Sequence, residues 1–178
     1  FELLQALKVS LAPLLAQHQG AWQESGLTRD VLIEGNQEAL LSALVAIAEN
    51  ALQVTPNAVL TVTTEITDSG LEMSIRDNGP GIAQDALSRI FDPYFTTRAG
   101  GTGLGLALCA MIARNHDATL VASNPAGGGA EFKLTLPHAR FKAVTASMNS
   151  NETGGVSVDA SRVQTPFEQA NHGAAVHG

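Results

Sequence analysis

What this sequence has little of excludes several function classes. Aromatic residues make up only 4% of its 178 residues, so its core must be mainly aliphatic. Its single cysteine, Cys109, rules out an internal disulfide and a multi-cysteine zinc site. Basic residues are few and scattered: 10 Lys and Arg stand against 17 Asp and Glu, a net charge of −7. Phosphate-backbone binding needs a clustered basic face, so nucleic acid is not the expected partner. The longest nearly apolar run, residues 39–48, is about half of the roughly 20 residues a membrane helix needs. No charged-then-apolar leader is visible, and the chain opens on Phe1 rather than Met. A fragment or processed chain, without membrane contact of its own, is therefore expected.

Against these shortages, hydrophobic residues reach 44%, enough for a core and too many for wholesale disorder. Charge divides the chain. Arg140, Lys142 and Arg162 balance Glu152, Asp159 and Glu168, so residues 1–138 carry the whole −7. The stretch after Pro137 is rich in Ala, Gly, Ser and Asn and shows no sustained period. It is expected to be mostly disordered, with a piece such as Phe141–Val144 able to dock. Residues 1–138 are thus expected to form the folded domain and residues 139–178 a low-complexity tail.

Elements follow from periodicity. Leu3, Leu4, Leu7, Leu11, Leu14 and Leu15 mark a helix over residues 1–19, which Pro13 should break unless it restarts with Ser10 as cap. Helices are also predicted at 37–53 and 104–116, and strands at 58–66, 71–77, 119–122 and 131–136. Thr67-Asp68-Ser69-Gly70 reads as the turn of a hairpin. The fold class is α/β, a two-layer sandwich of a sheet and about three helices.

Three local patterns carry chemistry. Leu71, Met73, Ile75 and Asp77 share one strand face, which brings a carboxylate to the edge of the core, just before Asn78-Gly79-Pro80-Gly81. Asp77 either caps a turn or accepts a hydrogen bond from a bound base. On the second helix, Asn50 lies at the margin of the apolar arc, where its amide oxygen could meet a cation, and Glu49 falls on the polar face as a solvated carboxylate. Gly100-Gly101-Thr102-Gly103-Leu104-Gly105-Leu106 opens the third helix, where free N–H groups and the helix dipole suit phosphate. Its G-x-G-x-G spacing matches neither the dinucleotide fingerprint nor the P-loop. Together the three patterns point to nucleotide binding.

These residues also resemble a known family, the ATP-binding catalytic domain of sensor histidine kinases. Glu49-Asn50-Ala51 resembles its N box, Asp77-Asn78-Gly79-Pro80-Gly81 its first glycine box, and Phe91-Asp92-Pro93-Tyr94-Phe95-Thr96-Thr97-Arg98 its F box. Gly101-Thr102-Gly103-Leu104-Gly105-Leu106 resembles the second glycine box and Gly127-Gly128-Gly129-Ala130-Glu131-Phe132 the third. The spelling is most similar to nitrogen-regulatory and polar-flagellar sensor kinases. The resemblance implies a Bergerat-type fold, a mixed sheet backed by helices, shared with DNA gyrase and heat-shock chaperone ATPases. It implies ATP and Mg²⁺ as ligands, with Asp77 on the adenine amine, Asn50 as catalytic residue and metal ligand, and the second glycine box (Thr102, Gly103, Leu104, Gly105, Leu106) on the phosphates. Gly79, Gly81, Ile82 and Phe95 complete the implied nucleotide site. Residues 83–102 would be an ATP lid anchored by Phe91 and Phe95, and Arg98 would lie near the phosphates or stand as an exposed loop cation.

Departures sharpen the expectation. Four residues before Asn50, where hydrolytic relatives carry a catalytic Glu, stands Ala46, so fast autonomous hydrolysis is not expected. Gln53 replaces a frequent cation, and Ala130 a frequent Thr. None of His18, His116, His138, His172 and His177 lies in a phosphoacceptor motif, and His116 is expected to cap its helix. The implied activity is therefore γ-phosphoryl transfer to a histidine on a separate dimerisation domain, joined through residues 1–19, for relay to a response-regulator aspartate. An ATP hydrolase, a serine kinase on the same fold and a catalytically silent scaffold are the alternatives.

Overall fold

The computed structural model describes residues 2–26 and 31–143, all within one unit, Phe1–Ala146. The first helix, α1 (Glu2–Gln17), runs through Pro13 without a restart, which corrects the expected break. Leu3, Leu7, Leu11 and Leu15, one turn apart, are all buried, while Pro13 sits on the exposed side. The hydrogen bond Pro13 cannot donate would end on the carbonyl of Val9, a residue 66% exposed, where water replaces it. Burial of Leu15 beyond the proline offsets the cost of the defect.

The other helices, α2 (Gln37–Val54) and α3 (Gly105–Asn115), fall close to their predicted spans. Asn36 caps α2, its Oδ1 accepting from Ala39 N at 3.0 Å. Strands β3 (Val59–Thr67) and β4 (Gly70–Arg76) form the predicted hairpin, and β5 (Thr119–Ser123) and β6 (Glu131–Leu136) pair antiparallel. Three strands are additional: β1 (Ala21–Gly26), β2 (Val31–Ile33) and, after Pro137, a seventh strand described below. The main sheet runs β1-β3-β4-β6-β5, with β1 parallel to β3 and every other pair antiparallel. That is the expected mixed sheet backed by helices.

Register explains the core. Val62, Ile75, Phe132 and Ala122 form one cross-strand row, and Thr64, Met73, Leu134 and Leu120 the next. These rows face α1 and α2, whose buried Leu7, Leu11, Leu40, Leu44 and Leu52 fill the space between the layers. The face is almost wholly aliphatic, as the composition requires.

The chain does not leave the fold at Pro137. A 3-10 turn at His138–Arg140 leads into β7 (Phe141–Ala143), which pairs antiparallel with β2. Phe141 is buried in the core, so part of the segment expected to dock does so; Val144 and the rest of the tail lie outside the described residues.

Candidate functional site

A cavity of about 470 Å³ opens between the C-terminal half of α2, residues 81–106 and Phe132 of β6. Ala46, Glu49, Asn50, Gln53 and Val54 of α2 line it, which is helical spacing along a single stripe. The stripe mixes polar and apolar residues because it faces an opening rather than the core. Glu49 is therefore a wall residue beside Asn50 and only partly exposed, which corrects its placement on the solvated face. The helical wheel assigns it to solvent because nothing in the α2 sequence shows that residues 81–106 cover that side.

The opposite wall comes from the Gly-rich segment. Thr102, Gly103, Gly105 and Leu106 line the cavity, whereas Leu104 turns outward and is 44% exposed. Leu104 is the N-cap of α3 and offers no side-chain cap, and no acidic residue occupies the first turn. The first N–H groups of α3 thus open at the positive end of the helix dipole with no side-chain cap among the described residues, beside the cavity, as anion binding requires.

Gly81, Ile82, Phe95, Thr96 and Arg98 bring residues 81–98 into the same wall. Ile82 is fixed at both backbone groups by one side chain: its N–H donates to Asn124 Oδ1 at 2.8 Å, and its carbonyl accepts from Asn124 Nδ2 at 2.6 Å. Asn124 lies just past β5 in no recognised box, and its role became visible only from the fold. Farther along, Ala86 and Ile90 join the core, Phe91 meets Phe132 edge-on with ring centroids 6.3 Å apart, and Arg89 lies 4.5 Å above the Phe95 ring. Arg98 donates from Nη1 to Gln53 Oε1 of α2. The cation that α2 itself lacks is thereby supplied from across the cavity.

Asp77 and Gly79 do not line this cavity. Asp77 is 8% exposed, immediately after β4, and its Oδ1 accepts from Gly79 N at 2.8 Å and from Ala130 N at 3.2 Å. The turn-capping role is therefore real, and it uses one oxygen; Oδ2 has no hydrogen-bond partner among the described residues. Gly129 makes the arrangement possible: at φ +81° it brings its α-carbon so near Asp77 that a Cβ would fall 1.8 Å from the Asp77 carbonyl oxygen.

Two other candidate groups are structural. His116 is buried, with Nε2 accepting from Asn36 N and Nδ1 donating to Ile112 O, and its backbone N–H caps α3 at Ala113 O. Burial pushes the Cys109 thiol up to about 11, which disfavours the thiolate at neutral pH, and its Sγ–H donates to Ala43 O at 3.4 Å. Among the described residues no cluster of three or more His, Cys, Asp or Glu could hold a metal by itself, and no helix is long and apolar enough to cross a membrane.

Comparison with known proteins agrees with this geometry. Over 106 residues the chain is 41% identical to sensor histidine kinase ZraS of Escherichia coli O157:H7, covering 59% of this chain and 23% of that protein. It is 34% identical over 111 residues to sporulation kinase C of Bacillus subtilis (strain 168), covering 62% and 26%. The chain thus spans about a quarter of the length of these curated relatives. Among solved structures, the nucleotide-free catalytic domain of histidine kinase ThkA superposes with a TM-score of 0.70 at 25% identity, covering 77% of this chain and 91% of that one. Full-length ShkA in complex with AMPPNP gives 0.70 at 27% identity, covering 82% and 30%. Residues 35–140, the span that holds every box and every cavity wall, match the family described as histidine kinase-, DNA gyrase B-, and HSP90-like ATPase, and to that family the chain belongs.

Proposed function

We propose that this chain is the catalytic part of a sensor histidine kinase, binding Mg²⁺·ATP and passing the γ-phosphoryl group to a histidine on a phosphoacceptor domain. The response-regulator aspartate would receive it next. One observation carries the reading: a single cavity joins Glu49 and Asn50 of α2, the uncapped start of α3 and the Arg98 guanidinium. Titrating the chain with ATP, GTP and ADP, with and without Mg²⁺, tests it directly. Preferential Mg²⁺-dependent binding of ATP supports it, and equal binding of GTP overturns it.

The residues fit the roles. Asp77 Oδ2 would accept from the adenine amine, with Gly79, Gly81 and Ile82 forming the adjoining backbone. Thr102, Gly103, Gly105 and Leu106 would hold the phosphate chain through main-chain N–H groups, with Leu104 turned outward between them. Glu49 and Asn50 present adjacent hard oxygen donors, which suits Mg²⁺, and the remaining ligands would be phosphate oxygens and water. The ion, when bound, neutralises charge on the phosphates. Arg98 would approach the γ-phosphate from residues 83–102, which act as lid, with Phe91 and Phe95 as its anchors. Ala46 places a methyl on the wall where a hydrolytic base would stand, which favours transfer over hydrolysis.

The receiving domain has a surface on which to dock. Leu104, Leu108 and Met111 recur at helical spacing along α3 and are 44%, 50% and 46% exposed. Tyr94, 77% exposed, adjoins them through its N–H bond to Gly103 O at 2.9 Å. Phosphoacceptor helices packed on this apolar stripe would bring their histidine to the phosphate end of the cavity. A cytoplasm-facing kinase of nitrogen-regulatory or flagellar type is the subtype we propose, with the domain of residues 1–138 extended through β7 to Ala143 and residues 1–19 as its connection.

A further inference from the structure

Arg98 is held by its backbone and by its side chain, yet nothing neutralises it. Its backbone N–H donates to Thr96 Oγ1 at 3.1 Å, and its carbonyl accepts from Gly101 N at 3.2 Å. Gly101 lets that turn close, since a Cβ there would fall 2.5 Å from Thr96 Oγ1. At the far end of the side chain, Nη1 donates to Gln53 Oε1 of α2. Among the described residues no carboxylate pairs with Arg98. Gln53, Thr96 and Arg98 all line the cavity.

The residue type at 53 decides what this contact does. A guanidinium has no acceptor, so Gln53 must turn its oxygen toward Arg98. That leaves Nε2 with both of its N–H groups and no partner among the described residues. The groups the pair has left are therefore donors only. A Glu at 53 would grip Arg98 more tightly but cancel its charge, and a Lys or Arg would repel it. A neutral amide holds the guanidinium and leaves its whole charge for an anion. The last turn of α2, where Gln53 lies, has no basic residue, so the negative end of the helix dipole also favours the guanidinium there.

We infer that Gln53 is a positioning residue, which seats the Arg98 guanidinium on the cavity wall before nucleotide arrives and so sets how strongly the chain prefers ATP to ADP. The inference rests on the nucleotide binding proposed above. Seating matters because a free arginine loses rotamer entropy when it engages a ligand, and a contact made beforehand removes part of that cost. In the proposed binding mode the gain falls on the γ-phosphate, the group that ADP lacks.

The test is calorimetric titration of the whole chain with Mg²⁺·ATP and with Mg²⁺·ADP. Gln53→Met keeps the length and helical preference of the side chain and removes its amide. Gln53 is exposed, so the variant should fold like the wild type. It should bind ATP about threefold more weakly, the scale of an exposed contact to a charge, and bind ADP as before. Arg98→Ala should lose more for ATP, and Gln53→Met added to it should change nothing further, because the amide acts through the guanidinium. Equal losses for ATP and ADP would mark a merely structural role and overturn the inference, as would an unmoved ATP affinity or a full second loss in the double variant. If the wild type binds neither nucleotide, the proposed function fails and this inference with it; if it binds ATP with Mg²⁺ and Gln53→Met is silent, only the role of Gln53 fails.

Discussion

The backbone N–H of Asn36 donates to Nε2 of His116 at 2.9 Å, so one imidazole joins the start of α2 to the end of α3. Its other nitrogen is committed to Ile112 O at 2.8 Å, which fixes the neutral Nδ1–H tautomer. Both helices that build the cavity are thus registered against each other by a residue that lines no part of it.

Removing that imidazole should loosen the pair of helices. His116→Ala strands one part-buried N–H and one buried carbonyl, at a cost of about 1–3 kcal/mol. Urea denaturation should show this as a lower midpoint with an unchanged slope. An unaltered midpoint would mean that the bridge contributes nothing.

Asn50→Ala should weaken ATP binding about tenfold or more when Mg²⁺ is present and leave EDTA-treated binding nearly unchanged, because in the proposed site the amide oxygen acts through the ion. Calorimetric titration under both conditions decides. Equal losses would remove Asn50 from the metal.

Phe141 marks how far the folded domain extends. Its ring is 8% exposed, and β7 holds it by pairing with β2. Phe141→Ala should cost about 3 kcal/mol, as large-to-small changes in cores do. A chain ending after Ala143 should melt like the full chain, and one ending after Pro137 several degrees lower. Identical melting of the two truncations would show that β7 is dispensable.

Glu72 and Lys133 form a cross-strand ion pair at 2.9 Å. The hydrogen bonds from Lys133 and Thr67 hold the Glu72 carboxyl below its ordinary value of 4.5, and Glu72 holds Lys133 above 10.5. A lowered carboxylate stabilises the fold above its unfolded value and loses that contribution as pH falls through the folded one; a raised lysine contributes below 10.5 and loses it at higher pH. Both side chains are partly solvated, so the pair is worth only about 0.5 kcal/mol. Glu72→Gln should therefore be less stable than wild type near pH 7, and the gap should narrow as pH falls below 4.5. A gap independent of pH would exclude an ionic origin.

Much of this architecture was legible in the sequence because burial left a period. Leu71, Met73 and Ile75 alternate and announce β4, and the apolar arc of α2 gives its span within a residue. Strand β1, Ala-Trp-Gln-Glu-Ser-Gly, announces nothing: it is an edge strand with only Trp22 half-buried, and parallel pairing to β3 rather than side-chain pattern holds it in place. Strands β2 and β7 have three residues each, too short for any period. Asn50, Gly81 and Gly103, each marked by a local motif, line the one cavity described, while the places of Glu49 and Asn124 depend on what folds over them. The same limit hid α1's tolerance of Pro13, since a helix survives a proline only where its carbonyl partner meets water.

The double grip of Asn124 on Ile82 also sets where traffic through the cavity can pass. One end of the 83–102 segment is bolted to β5's exit, and the other is tied where Tyr94 N–H meets Gly103 O. Between these ties Phe91 is packed on Phe132. Residues 96–101 lie within the loop that the Tyr94–Gly103 bond closes, and one side-chain bond among the described residues, Arg98 to Gln53, crosses from it to the opposite wall. In the binding mode proposed above this arc lies at the phosphate end, so spent nucleotide would leave tail first while the tie at Ile82 holds the base end.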